Sequence, residues 1–334
     1  HVADFMADLC QVGPDDVVLD PACGTGGFLI AAMHRMQITG KLSRTQIVAR
    51  VNRQLIGFDS EPQTAALCVA NMILRGDGTT GVRRGNCLTS ADYPIGKADV
   101  VLMNPPFPHE QTDTPSEMFV NRGLEGLHSR GVLAAIVPQS LMVKKEKQAW
   151  RDGLLKKHTL LGVVSLPDEL FKPYAAATTA ILILRKGVPH PKEHHVFFAR
   201  IDNDGFKLKK GTRLPRPGSQ LPIVQAAYNN RQSIPRLCGW SPLDPKEPLW
   251  HTAAPHYVPT TALTLDEVGA GQRELARFRS AFVVRHATEI LTMMTDVRKG
   301  DLKPQKIPEI KKPAKVEAQP NTIGGLFDIY GGQR

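Results

Sequence analysis

Asn104-Pro105-Pro106-Phe107 directly follows the apolar run Ala98–Met103, which predicts an amide, a rigid backbone carbonyl and an aromatic ring at the end of a buried strand. Those groups suit chemistry on a planar amino group. An exocyclic amine conjugated with a heteroaromatic ring is a poor nucleophile, because its lone pair is delocalised into the ring. Accepting both amino hydrogens, one on the Asn104 side-chain oxygen and one on the Pro105 carbonyl, favours a pyramidal nitrogen. The prolines Pro105 and Pro106 fix that backbone, and Phe107 can stack on an extruded base. The plainer reading is a strand-ending turn, since Pro-Pro stops a ladder in any case.

A second group lies upstream. Val17-Val18-Leu19-Asp20-Pro21-Ala22-Cys23-Gly24-Thr25-Gly26-Gly27-Phe28 reads as a strand, a glycine-rich turn and a helix start, an arrangement that lets a nucleotide-like cofactor approach backbone N–H groups. Asp20, at the carboxyl end of that strand, can accept from the ammonium of a methionine moiety or orient the turn. Gln54–Asp59 ends a further strand with a carboxylate able to accept from both hydroxyls of a ribose. Asp59-Ser60-Glu61-Pro62 reads equally as a helix N-cap, and the two roles are compatible. A phosphate site is disfavoured: no Gly-Lys-Ser/Thr follows the glycines, and Asp20 and Asp59 would repel a polyphosphate. Together the two groups predict methylation of an amino group with S-adenosylmethionine.

The elements that must hold these residues follow the rhythm of a doubly wound parallel sheet: strands near 17–20, 55–59 and 98–103, helices from 25 and over 62–75. A helix near 116–129, a strand over 131–138 and a basic helix with Lys144, Lys145, Lys147, Arg151, Lys156 and Lys157 come next. The strands 160–166 and 178–184 are joined by a connection too short for a parallel crossover, which predicts an antiparallel pair. After Gly187 the sequence becomes proline-rich, with one recognisable strand at 196–201 and the basic residues Lys207, Lys209, Lys210, Arg213 and Arg216. A domain boundary is expected there. The organisation read from sequence is a cofactor-binding domain over 1–187, a small basic extension over 188–262 as a candidate DNA or subunit contact, a helix over 263–298, and a basic tail over 299–334 ending in a docking peptide.

A net charge of +10 on 334 residues, with a sequence pI of about 9.4, favours a polyanionic partner, and nucleic acid outranks a membrane. Cys10, Cys23, Cys68, Cys87 and Cys238 contain no Cys-x-x-Cys pair, which disfavours a disulfide framework or zinc knuckle and suits a reducing cytoplasm. No apolar run approaches the roughly 20 residues of a spanning helix. His190, His194 and His195 have no spaced partner, so no metal site is assigned, and Pro304 and Pro308 interrupt any strand that could hold Asp301 and Glu309 as a nuclease pair. The chain enters at His1 on a helical pattern (Val2, Phe5, Met6, Leu9) and is read as a fragment.

With these motifs in place, the sequence resembles the N6-adenine DNA methyltransferases, especially the modification subunits of type I restriction systems and related phage-defence methylases. The resemblance covers about residues 1–187 and implies a seven-stranded, Rossmann-like α/β methyltransferase sheet with a terminal antiparallel hairpin, plus a smaller irregular or helical C-terminal region. It implies that Asp20, Ala22, Cys23, Gly24, Thr25, Gly26, Gly27 and Phe28 form the S-adenosylmethionine motif, that Asp59 with Ser60 binds the ribose, and that Asn104 to Phe107 is the catalytic Asn-Pro-Pro-Phe, with Asn104 contacting the cofactor as well. Asn86 and Cys87 fall beside the cofactor adenine. There the chain departs from its relatives, which usually carry aspartate at the Asn86 position, so weaker or altered cofactor binding is expected. A Thr-Pro segment that relatives place just before a sequence like His1–Met6 is missing, with the same expected effect. The implied partners are double-stranded DNA and the specificity or nuclease subunits of one system. Two other readings stay open: methylation of a protein or RNA, because the tetrapeptide also accepts a glutamine amide, and a methyltransferase-fold subunit that senses cofactor or DNA without catalysis. Cytosine-N4 is chemically available as a target too.

Overall fold

The computed structural model describes residues 1–75, 81–108, 110, 112–172, 178–209, 211–243 and 254–258. The chain divides into two compact units, His1–Ala262 and Leu263–Arg334. The expected helix over 263–298 and the tail over 299–334 lie outside the described residues.

The first unit opens with α1 (Val2–Leu9), β1 (Val18–Asp20), α2 (Gly27–Gly40), α3 (Arg44–Gln54), β2 (Leu55–Asp59), α4 (Pro62–Leu74), β3 (Val82–Arg84) and β4 (Ala98–Met103). It continues through α5 (Ser116–Gly126), β5 (Leu127–Pro138), α6 (Ser140–Val143), α7 (Gln148–Lys157), β6 (Thr159–Ser165) and β7 (Thr179–Arg185). Last come β8 (His195–Arg200), β9 (Phe206–Lys209), β10 (Thr212–Pro215), α8 (Leu221–Asn229) and β11 (Cys238–Pro242). One nine-stranded sheet runs β11-β8-β6-β7-β5-β4-β1-β2-β3, and β9 with β10 forms a separate antiparallel hairpin. The order turns back at β1, which pairs in parallel with both β2 and β4. In an open α/β sheet, the crevice at the carboxyl ends of such strands is where ligands bind.

Local chemistry accounts for most of these elements. β1, β4 and β6 are almost uninterrupted apolar runs because the sheet is covered on both faces. Two buried clusters, one around Leu29, Met36 and Val100 and the other around Leu19, Met103 and Leu133, form the layers between sheet and helices. α4 starts with Pro62 at its first position, where no N–H is needed. α3 is missing from the sequence reading although its signal is explicit. Ser43 Oγ accepts from the Gln46 N–H and the Gln46 side chain accepts from the Ser43 N–H, a complete capping box.

The mixed α/β sheet and the antiparallel pair agree with the sequence reading: β6 and β7 are antiparallel, as are β5 and β7. The seven strands expected, β3 to β6 in sheet order, are continued by two more. β8 pairs in parallel with β6, and β11 pairs antiparallel with β8. The sheet therefore runs unbroken past Gly187, and α8 packs beside α1. The β6–β7 pair does not terminate it.

Candidate active site

Three strand ends carry the predicted chemistry to one place. Asp20 closes β1, Asp59 closes β2 and Asn104 stands one residue beyond β4. Of the predicted set, Ala22, Asp59, Ser60, Asn86, Cys87, Asn104, Pro106 and Phe107 line a cavity of about 670 Å³; Asp20, fully buried, precedes the lining residue Pro21 and does not itself line it. Sequence reading does not single out the remaining lining residues: Pro21, Gly85, Leu88, Pro108, Asp113, Thr114 and Phe119.

The glycine turn lies behind that lining. Gly24 has φ +54° and Gly26 φ +91°, values that a side chain would strain. The Gly24 N–H donates to Asp59 Oδ2 at 3.0 Å, and the Cys23 N–H donates to the Phe58 carbonyl at 2.8 Å. Asp59 Oδ1 accepts from the Glu61 N–H at 2.9 Å. This carboxylate thus fixes the turn and the entry to α4 together, with lone pairs left for a ligand. Thr25 accepts from Asn71 through its carbonyl, Gly27 begins α2, Phe28 packs against the core cluster, and Pro105 is buried.

Two acceptors here are buried without a donor among the described residues: Asp20 Oδ2 and Asn104 Oδ1. Leaving such a group unpaired costs about 1–3 kcal/mol, so each invites a ligand N–H. Asp20 has no solvent exposure, and its other oxygen accepts from the Ala22 N–H at 3.1 Å. Burial pushes its carboxyl well above the ordinary carboxylate range. An ammonium beside Oδ2 would reverse that shift, which is the fit expected for the methionine end of S-adenosylmethionine. In the β1–β4 register Leu19 stands opposite Val101, so Asn104 lies two residues, about 7 Å, beyond the level of Asp20. The two acceptors therefore suit two different donors.

Cysteine chemistry is closed off in this pocket. Cys23, hydrogen-bonded to Cys68 and buried, has its thiol pushed far up, and burial pushes Cys87 to about 11. Neither is a thiolate at neutral pH, so a covalent thiol intermediate is disfavoured. At Asn86, Oδ1 accepts from the Leu88 N–H at 2.9 Å, which leaves the donor Nδ2 for any further contact. An aspartate making the same turn would leave an acceptor.

One aromatic neighbour escapes sequence reading. Phe171, in the connection from β6 to β7, sets its ring edge-on to Phe107, with centroids 5.3 Å apart and planes at 83°. An aromatic residue in a loop at the carboxyl edge was the available signal. Elsewhere Arg151 is not a surface cation: it is 4% exposed, and Nη1 donates to the Leu141 and Lys144 carbonyls at 3.0 Å each. Lys147 pairs with Glu117. Lys144, Lys145, Lys156, Lys157, Lys207, Lys209 and Arg216 are exposed, while Lys210 lies outside the described residues. No described helix is long and apolar enough to cross a membrane. Among the described residues, no group of three His, Cys, Asp or Glu side chains is placed to hold a metal.

Known proteins resemble this chain over most of its first unit. The type II restriction enzyme and methyltransferase RM.BcgI of Heyndrickxia coagulans is 37% identical over 231 residues, 66% of this chain and 36% of that protein. The type I restriction enzyme EcoEI methylase subunit of Escherichia coli is 28% identical over 231 residues, 64% of this chain and 46% of that protein. The chain thus spans less than half the length of these relatives. The crystal structure of the type I restriction enzyme EcoKI M protein superposes with a TM-score of 0.55 at 25% identity, covering 64% of this chain and 50% of that one. The N-6 DNA Methylase family model matches residues 1–244, the whole nine-stranded sheet included, and the chain belongs to that family.

Proposed function

We propose that the protein transfers a methyl group from S-adenosylmethionine to N6 of an adenine turned out of double-stranded DNA, as the modification subunit of a restriction-modification or related defence system. The observation that carries this reading is Asn104 Oδ1, buried and without a donor at the carboxyl end of β4. The bound cofactor would supply an electrophilic methyl group. Asp20 would hold its ammonium, Asp59 and Ser60 its ribose, and Asn86 and Cys87 would flank its adenine. Asn104 and the Pro105 carbonyl accept the two amino hydrogens and direct the nitrogen lone pair out of the ring plane. An amide is no base, so Asn104 stabilises the positive charge developing on nitrogen, and the proton passes to solvent. Phe107 stacks on the base, and Phe171 closes the wall behind it.

The exposed lysines of the α7 region and the β9–β10 hairpin would follow the phosphates. Specificity and nuclease subunits would select the site. A cytoplasmic location fits this role. The second reading, a subunit that senses cofactor or DNA without catalysis, draws its support from the donor that Asn86 leaves toward the cavity. Transfer of labelled methyl from S-adenosylmethionine to unmethylated genomic DNA, by the full-length protein with and without its operon partners, separates the two. N6-methyladenine that vanishes with Asn104→Ala supports the first. Cofactor binding with no label in DNA under any condition supports the second.

A further inference from the structure

We propose that Arg213 is a positioning residue for the base pocket, acting at a distance through Leu170 and Phe171. The inference rests on the methyl-transfer reading above and assigns a task to the segment after Gly187. In the β9–β10 hairpin, Leu208 lies opposite Arg213 and Phe206 opposite Pro215, so these four share one face, while Lys207, Lys209, Thr212 and Leu214 share the other. The second face is exposed. The first is tied down through a buried carboxylate.

Asp204 has a side chain with no solvent exposure, and it accepts from Arg213 Nη2 on both oxygens, at 2.7 and 2.8 Å. It also accepts from the Phe206 N–H at 3.3 Å and lies 2.9 Å from His1 Nε2. The Arg213 guanidinium further lies 5.5 Å from the Phe206 ring centroid. So held, it turns its other nitrogen outward: Nη1 donates to the Leu170 carbonyl at 3.2 Å. Leu170 belongs to a tight turn in which its own N–H bonds to Pro167 and that of Lys172 bonds to Glu169. The next residue, Phe171, sets its ring against Phe107, three positions beyond Asn104.

The chain of contacts is therefore short and directional: a buried carboxylate fixes a guanidinium, the guanidinium fixes a carbonyl, and the carbonyl fixes the neighbouring ring that backs the stacking ring. A planar fork reaches both partners because its nitrogens point in different directions. A single ammonium at the end of a lysine keeps the charge for Asp204 but has no second nitrogen for Leu170. Displacing a positioning wall by about 1 Å can lower turnover on the order of a hundredfold.

The test compares wild type, Arg213→Lys, Phe171→Ala and the double variant, all as the full chain with its operon partners. Two quantities are read: amide hydrogen exchange over residues 166–172, and kcat with KM for transfer from S-adenosylmethionine to unmethylated genomic DNA. Arg213→Lys is expected to speed exchange in that turn and to lower kcat about ten- to a hundredfold, with the KM for the cofactor within about twofold. The double variant should be no slower than Phe171→Ala alone, because both changes act on one wall. Additive losses, or wild-type exchange and turnover in Arg213→Lys, would overturn the proposal. Should the lysine variant melt early, Arg213→Gln with Asp204→Asn keeps a neutral hydrogen bond at the same place and is read in the same way. If wild type itself transfers no methyl, the methyl-transfer reading fails, and unchanged exchange over 166–172 then decides against Arg213 independently.

Discussion

Asp20→Asn should change stability and cofactor affinity in opposite directions. The side chain is fully buried, one oxygen holds the Ala22 N–H, and the other has no donor among the described residues. Burial raises its carboxyl pKa in the folded protein. A raised folded pKa contributes stability that is fully present below the ordinary carboxylate value and is lost as pH rises toward the raised one. Within that window wild type loses about 1.4 kcal/mol per pH unit relative to a variant that cannot ionise. In a unit of this size, one kcal/mol moves the melting temperature by roughly 2–4 °C. Above pH 4 the asparagine variant should therefore gain on wild type by about 3–5 °C per pH unit, levelling off once the raised pKa is passed. The same change removes the charge that an ammonium would pair with. Losing a hydrogen bond to a charged group is worth about 1.5–3 kcal/mol, which weakens S-adenosylmethionine binding roughly ten- to a hundredfold. Melting curves from pH 4 to 8 and titration calorimetry at pH 7 measure the two effects. At a pH between the ordinary carboxylate value and the raised one, wild type should also release a proton on binding, read in buffers of different ionisation enthalpy, and the variant should not. Parallel melting curves together with unchanged affinity would refute both the burial argument and the place given to the ammonium.

Asn104→Ala removes one of the two amino-hydrogen acceptors. Turnover should fall at least a hundredfold while cofactor affinity, by titration calorimetry, stays within about threefold. Asn86→Asp replaces the remaining donor by an acceptor, and S-adenosylmethionine should bind roughly tenfold more tightly; equal or weaker binding would remove the adenine from that corner of the cavity. Gly26→Ala adds a methyl at φ +91°, 2.9 Å from Cys68 Sγ, and should destabilise by about 2–3 kcal/mol in urea unfolding. Wild-type stability in this variant would show that the turn has another conformation open to it.

What could be read from the sequence alone was local. Ala98–Met103 is a strand because an apolar run bounded by Asn-Pro-Pro has nowhere else to go, and Gly24 and Gly26 mark the turn because only glycine takes those angles without strain. The order of motifs likewise placed Asp20, Asp59 and Asn104 at strand ends, since each follows its apolar run directly. Even the missed α3 is legible in Ser43 and Gln46.

The tertiary structure alone decided which atoms meet. Asp59 spends an oxygen on Gly24, 35 residues earlier, and Arg213 reaches Leu170 across 43 residues, because strand order rather than chain order sets those neighbours. Composition likewise could not separate Arg151, turned inward onto two carbonyls, from the exposed lysines around it. Nor could it show that β8 and β11 extend the sheet, since a strand's partner is chosen by long-range pairing that leaves no periodic mark in its own sequence. Residue types and spacing carry the chemistry available to the chain. Burial, which leaves Asp20 Oδ2 and Asn104 Oδ1 without a donor among the described residues, decides where that chemistry is directed.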